Sequence, residues 1–219
     1  RSRGLGDVYK RQPNELRSMP LVMDRIRKTR DMRLNAKDKG TQKLAETPHL
    51  FRETYNYPNY IVIPMLTTNS RKYLPIGFYS KDTISTNLNL ISEVKSIYQF
   101  GVLSSNVHIA WTKIVSGKMG NGIRYSAGIV YNTFPWPNPT QEQKQKIEKT
   151  AQAILDARDL YPTSSLADLY DELTMPVELR RAHQENDKVV MVAYGFNWRT
   201  MTESECVAEL MKMYQEIVN

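Results

Sequence analysis

The chain has 219 residues and a mass of 25.4 kDa, with 41% hydrophobic and 24% charged residues, ordinary globular values that allow one large domain or two small ones. No apolar run approaches the roughly 18–20 residues of a membrane span. One cysteine, Cys206, and three histidines, His49, His108 and His183, provide neither an internal disulfide nor a four-ligand zinc site, so the expectation is a reducing, cytoplasmic setting with no metal and no membrane partner. Charge is divided unevenly: residues 1–140 carry 21 Lys and Arg against 9 Asp and Glu, a net +12, and residues 141–219 carry 9 against 14, a net −5. This reads either as a polyanion-facing segment joined to an acidic one, or as a solvated surface of mixed sign.

Residues 1–12, RSRGLGDVYKRQ, have neither a signal-peptide layout nor an apolar pattern and resemble translated adapter read-through, so they are set aside as non-native. SMPLVMDRIRKTRDMRL (18–34) predicts a helix with Ser18 as N-cap, Pro20 in its first turn, and Val22, Ile26 and Leu34 on its apolar side. Its outer face would carry Arg25, Arg27, Lys28, Arg30 and Arg33, for phosphate contact or simple solvation. Residues 36–48 read as a loop with at most a short helix.

From Tyr55 the pattern turns to short β-rich runs. YIVIPML (60–66), KYLPIGFY (72–79) and SAGIVYNTF (126–134) are expected strands, and residues 96–116 contain a helical stripe of Val107, Ala110, Trp111 and Ile114 capped by Ser104 or Ser105. FPWPNPT (134–140), with three prolines, stops helix and ladder alike and is the best domain boundary. Beyond it, Thr140 caps a helix with Ile147, Ala151, Ile154 and Leu155 on its apolar side. A short helix follows Ser165, and two longer ones are expected over 175–194 and 203–218. The fold class is therefore α+β: a mixed α/β block followed by a small all-helical unit.

There is no glycine-rich phosphate loop, GxSxG, HExxH or paired CxxC. His108 reads as a satisfied core histidine and Cys206 as a small core residue. No catalytic, cofactor-binding or metal residue is assigned. Two stretches have the character of ligand surface. SGKMGNGIRYS (116–126) joins three glycines to Asn121, Lys118 and Arg124, an arrangement that allows close backbone approach beside an arginine able to grip guanine or phosphate. STNLNLI (85–91) offers amides suited to an adenine edge. An ordinary hairpin and an exposed strand would show the same patterns.

The ordered blocks PMLTTNSRKYLPIGF (64–78), YQFGVLSSNVHIAW (98–111) and RYSAGIVYNTFPWP (124–137) resemble the target-recognition domain of MmeI-like DNA methyltransferases, and residues 151–196 are similar to the helical C-terminal domain of the same enzymes. The resemblance implies a parent enzyme that transfers a methyl group from S-adenosylmethionine to adenine in double-stranded DNA. The family's Asn/Asp-Pro-Pro-Tyr/Phe tetrapeptide and cofactor motif lie upstream of the recognition domain and do not occur here. The chain is thus expected to be the recognition part of such an enzyme, without catalysis of its own and lacking its N-terminal methyltransferase domain as a partner. The expected divisions are residues 13–50, a basic helix and linker; residues 51–137, the target-recognition domain; and residues 138–219, the helical C-terminal domain.

By position in the matched blocks, Asn87, Leu88, Gly120, Gly122 and Arg124 correspond to specificity-determining places. Asn121 lies in the same loop, and Lys118, Lys113, Arg71 and Lys72 are candidates for backbone neutralisation. The alternatives are the recognition part of a PglX-type phage-defence methyltransferase, and a non-enzymatic DNA-binding or interaction module.

Overall fold

A computed structural model of the chain describes residues 13–52, 57–81, 83 and 85–219; the reading of residues 1–12 lies outside them. The chain divides into two compact units, one of Arg1–Tyr57 with Lys81–Ile84, the other of Pro58–Ser80 with Ser85–Asn219.

In the first unit, α1 (Pro13–Arg17), α2 (Pro20–Leu34) and α3 (Lys39–Lys43) are followed by a 3₁₀ turn, Leu44–Glu46. Ser18 does not cap α2. Its hydroxyl donates back to the Glu15 carbonyl at 2.7 Å, closing α1, and Met19 occupies the cap position without a side-chain bond. Pro20 does stand in the first turn, where its missing N–H costs nothing. Leu34 is 47% exposed, off the apolar side expected for it.

Arg33 also departs from expectation. It is buried, and its guanidinium donates to the carbonyls of Leu44, Thr47 and Leu50 at 2.8, 3.0 and 2.8 Å. The chain after α2 folds back, and the arginine gives the Leu44 and Thr47 carbonyls a second donor beside the Thr47 and Leu50 amides and also holds the Leu50 carbonyl. Arg25, Arg27, Lys28 and Arg30 remain exposed.

The second unit opens with β1 (Asn59–Pro64), β2 (Leu66–Thr68), β3 (Gly77–Ser80) and β4 (Asn89–Glu93). Helices α4 (Ile97–Leu103) and α5 (Asn106–Val115) then lead to β5 (Gly117–Met119) and β6 (Gly122–Arg124). The strands form two antiparallel sheets, ordered β3-β1-β4 and β2-β6-β5.

Two expected strands differ. Of residues 72–79 only the last three are laddered, in β3, which runs on to Ser80. Tyr73, Leu74 and Ile76 are buried on irregular chain, because Pro75 has no N–H to donate and Arg158 takes the Ile76 carbonyl. The run 126–134 is a π-helical turn, Ala127–Tyr131, closed by Asn132 N–H to the Ala127 carbonyl at 2.8 Å. A short apolar run containing glycine fits either conformation. Here the turn aims the Val130 carbonyl at the buried Trp111 indole N–H, 3.2 Å away.

After the irregular proline segment, Thr140 and Gln143 form a reciprocal capping box on α6 (Gln141–Asp159), and Ser165 and Asp168 form another on the short α7 (Leu166–Leu169). Helices α8 (Val177–Ala193) and α9 (Glu203–Val218) complete the chain. Ile147, Ala151 and Ile154 are buried as the periodicity requires, and so are Val107, Ala110, Trp111 and Cys206, whereas Ile114 is 58% exposed. The core is continuous from sheet to helices. Gly101 of α4 shows how close the approach is, since a Cβ there would stand 2.7 Å from Ile147 Cγ2 and 3.0 Å from Ala151 Cβ.

Polar groups cross this core in a connected chain. The Arg158 guanidinium donates to the Ile76 carbonyl at 2.9 Å and to the Tyr170 hydroxyl, and stands over the rings of Phe100 and Tyr170 at 5.1 and 4.9 Å. Tyr170 donates to His183 Nε2 at 2.6 Å, and His183 Nδ1–H donates to the Ser104 carbonyl at 3.1 Å, which fixes the neutral tautomer. The Tyr73 ring stacks on His183 at 4.1 Å, and its hydroxyl donates to Asp187 Oδ2 at 2.7 Å; Asp187 Oδ1 accepts the Asn106 amide at the start of α5. Burial drives the His183 pKa well below the usual imidazole value and pushes the Asp187 carboxyl up to about 7 against the pull of its two donors.

Candidate nucleic-acid interface

Met65, between β1 and β2, joins the two stretches singled out in the sequence. Its N–H donates to the Leu88 carbonyl at 3.2 Å and its carbonyl accepts the Tyr125 N–H at 2.9 Å. Asn87 and Leu88 are the central residues of a turn closed by Asn89 N–H to the Thr86 carbonyl at 3.3 Å. The Asn89 amide braces that turn through the Ser85 and Thr86 hydroxyls. The turn tip and Arg124 are thereby held on either side of one residue, although 37 positions separate Asn87 from Arg124 in the sequence.

Tyr125 fixes the arginine's end of this arrangement. It is fully buried, its hydroxyl and His108 Nε2 hydrogen-bond at 3.0 Å, and burial pushes His108 down to about 3, so the imidazole stays neutral. Ser105 caps α5 by accepting the His108 N–H. Side chains alternate along a strand, so the residue before a buried Tyr125 points outward.

Register defines what lies beside Arg124. Leu66, Arg124 and Gly117 are directly opposed across the three strands, as are Thr68, Gly122 and Met119. Opposed residues and those two apart share a face, so Leu66, Thr68, Met119 and Arg124 form one surface interleaved with glycines. Leu66 and Met119 are 50% and 58% exposed, no carboxylate belongs to these rows, and the Arg124 guanidinium makes no hydrogen bond or ion pair among the described residues. The middle row of Thr67, Ile123 and Lys118 faces the other way, with Thr67 and Ile123 buried.

Lys118 is therefore on the opposite face from Arg124, and its ammonium donates to the Lys113 carbonyl at 3.2 Å. Lys113 is 3.4 Å from Glu203, Arg71 donates to the Ala167 carbonyl at 3.3 Å, and Lys72 is 4.0 Å from Glu172. These exposed or half-exposed contacts are weak, yet they direct four of the sequence-selected cations toward this chain's own groups.

At the hairpin tip Gly120 adopts φ +57°, which favours glycine, and the Asn121 carbonyl accepts the Asn69 side-chain amide at 3.0 Å. Gly122 is restricted by packing, since a Cβ would lie 2.9 Å from the Thr67 carbonyl oxygen, a backbone atom with no room to retreat. Gly122→Ala is expected to cost about 1–3 kcal/mol by overpacking, measured as a lower urea midpoint; an unchanged midpoint would show that the strand pair yields freely. Leu66, Thr68 and Met119 were not selected from the sequence. Only the pairing of β2 with β6, remote in the chain, reveals that they accompany Arg124.

Among the described residues no group of three His, Cys, Asp or Glu could hold a metal ion, and no helix is long and apolar enough to cross a membrane.

The fold is that of a target recognition domain joined to a helical C-terminal domain. Residues 8–138 match the family described as MmeI, target recognition domain, and residues 139–219 match MmeI, C-terminal domain; the chain belongs to the MmeI family. It is similar to DNA methyltransferase A of Bacillus subtilis (strain 168), with 40% identity over 204 residues that cover 93% of this chain and 23% of that protein. It is also similar to the type IIL restriction-modification enzyme MmeI, solved in complex with DNA, with 39% identity and a TM-score of 0.86, covering 97% of this chain and 30% of that one. The chain thus spans less than a third of the length of either relative.

Proposed function

We propose that these residues perform DNA sequence recognition for a site-specific adenine methyltransferase dependent on S-adenosylmethionine. The observation that carries this reading is the convergence on Met65 of the Asn87–Leu88 turn and the uncommitted Arg124, beside an outward face free of carboxylates. Similarity to an enzyme solved with DNA supports it. On this reading S-adenosylmethionine and the methyl transfer belong to a methyltransferase domain outside these 219 residues. The sheet and turn meet the duplex, and the acidic helices at 138–219 support them from behind, since like charge opposes their own approach to phosphate.

Roles then follow from placement. Arg124 reads a guanine edge or grips a phosphate, Asn87 offers an amide to a base edge, and Leu88, Leu66 and Met119 supply apolar contact. Gly120, Asn121 and Gly122 give the hairpin its shape and allow the backbone to come close. Arg71, Lys72, Lys113 and Lys118 add positive potential around the contact, each from within an intramolecular tie.

Binding of a duplex containing the enzyme's own site tests these roles at fixed low salt. Arg124→Ala is expected to weaken binding about 5- to 100-fold, the range of one bidentate base contact, and Lys118→Ala less than twofold. Equal effects of the two substitutions would remove the distinction between the faces.

A further inference from the structure

A second surface, beyond the C-terminal end of β4 and so away from the turn that precedes this strand, has the chemistry of a ligand site. It is a cavity of about 410 Å³ lined by Lys95, Ser96, Tyr98, Tyr131 and Trp136, with Lys144 from the first turns of α6. This is within the range of small-molecule sites, roughly 300–1,000 Å³.

Three of its walls are partly exposed aromatic rings. Tyr131 and Trp136 meet edge-on at 6.1 Å, and the Tyr131 hydroxyl is tied to the Ser92 hydroxyl at 3.1 Å, which holds that corner in place. Tyr98 forms another side, with the Lys144 ammonium 5.8 Å from its ring centroid. Lys95 and Lys144 have no carboxylate partner among the described residues, no acidic side chain lines the cavity, and the Ser96 hydroxyl makes no bond to cap α4. Two unneutralised ammonium groups beside flat rings select a ligand that is both planar and anionic. The rings stack on any base, and the ammonium groups hold a phosphate as point charges.

We propose that this cavity binds a nucleotide unit, its base against Trp136 and Tyr98 and its phosphate between Lys95 and Lys144. The same chemistry is offered by a free nucleoside monophosphate and by an unstacked nucleotide in a single strand. The site does not depend on duplex recognition through Arg124, because it shares no residue with that surface.

Saturation-transfer difference NMR of the full chain with thymidine 5′-monophosphate, thymidine and hexathymidylate tests this. Thymidine 5′-monophosphate is expected to bind saturably, and thymidine, lacking the phosphate, at least fivefold more weakly. The double substitution Lys95→Gln and Lys144→Gln, on exposed and half-exposed side chains, is expected to weaken the nucleotide at least fivefold and leave duplex binding unchanged. Arg124→Ala is expected to do the reverse. Hexathymidylate binding more tightly than the mononucleotide would assign the site to a single strand, and equal binding would assign it to free nucleotide. No saturable signal from folded chain, an unchanged affinity in the double variant, or capture of an acidic tyrosine-containing peptide without any response to the nucleotide would each overturn the proposal.

Discussion

Arg158→Ala is expected to destabilise the fold by about 3–5 kcal/mol, the sum of a buried carbonyl left without its donor and the cavity left by a large side chain. The guanidinium has no exposed substitute: it satisfies the Ile76 carbonyl and the Tyr170 hydroxyl and fills the space between two rings. Truncation leaves the carbonyl without a donor inside the core, removes both cation–π contacts and opens a cavity. The effect also reaches the sheets, because Ile76 leads directly into β3 and β3 is paired to β1, whose end carries Met65. Urea unfolding measures the loss. Lys149→Ala, on the exposed side of α6, is the control and should stay within about 0.5 kcal/mol. A similar small value for Arg158→Ala would mean that the polar chain through the core contributes packing alone.

Acid sensitivity is the second large effect, and its sign follows from three buried groups. His108 and His183 have pKa values depressed by burial. The unfolded chain therefore takes up protons below about pH 6.5 that the folded chain refuses, and stability falls on acidification. Asp187 acts in the opposite sense. Its folded value is raised to about 7, so its contribution is fully present below the unfolded carboxylate value and is lost as pH rises through 7. Between pH 6 and 4.5 two imidazoles oppose one carboxyl, and the net loss is about 1.4 kcal/mol per unit fall in pH. Asp187→Asn removes the opposing group and should steepen that loss to about 2.7 kcal/mol per unit. Unfolding curves at half-unit intervals check this, and the exposed glutamates, whose carboxyls lie below the usual value in the fold, add to the loss toward pH 4.5 equally in both proteins and so cancel in the comparison. A slope unchanged by Asp187→Asn would show that the carboxyl stays ionised in the fold.

Much of the architecture could be read from local rules. The caps at Ser105, Thr140, Ser165 and Thr202 are hydroxyl side chains preceding apolar periodicity, and each accepts the amide three residues on. The proline segment before α6 could be nothing regular. What local rules could not supply was tertiary demand. Arg33 and Arg158 have the composition of solvated cations, and only carbonyls brought in from elsewhere in the chain explain their burial. The stretch 126–134 is apolar enough for a strand, and the Trp111 indole decides for a π turn.

The site was legible by residue type but not by face. Arg124 and Lys118 are six positions apart on one hairpin and looked like a single cationic group. Alternation on β5 and β6 sends them to opposite sides of the sheet. Conversely, Asn87 and Arg124 are far apart in sequence, and the two bonds of Met65 bring their segments together. Leu66, Thr68 and Met119 were invisible for the same reason, since sheet neighbours across a long connection leave no local trace.

The proposed function requires duplex DNA to be held through the face presenting Arg124. Fluorescence anisotropy of residues 13–219 with a mixed-sequence duplex, repeated between 50 and 200 mM salt, addresses it most directly. Neutralisation of about four phosphates gives a log–log slope of about −3.6, and Arg124→Ala should lie below the native chain at every salt concentration. Folded protein that fails to bind at 50 mM salt, or an Arg124→Ala titration superimposable on the native one, would contradict the claim.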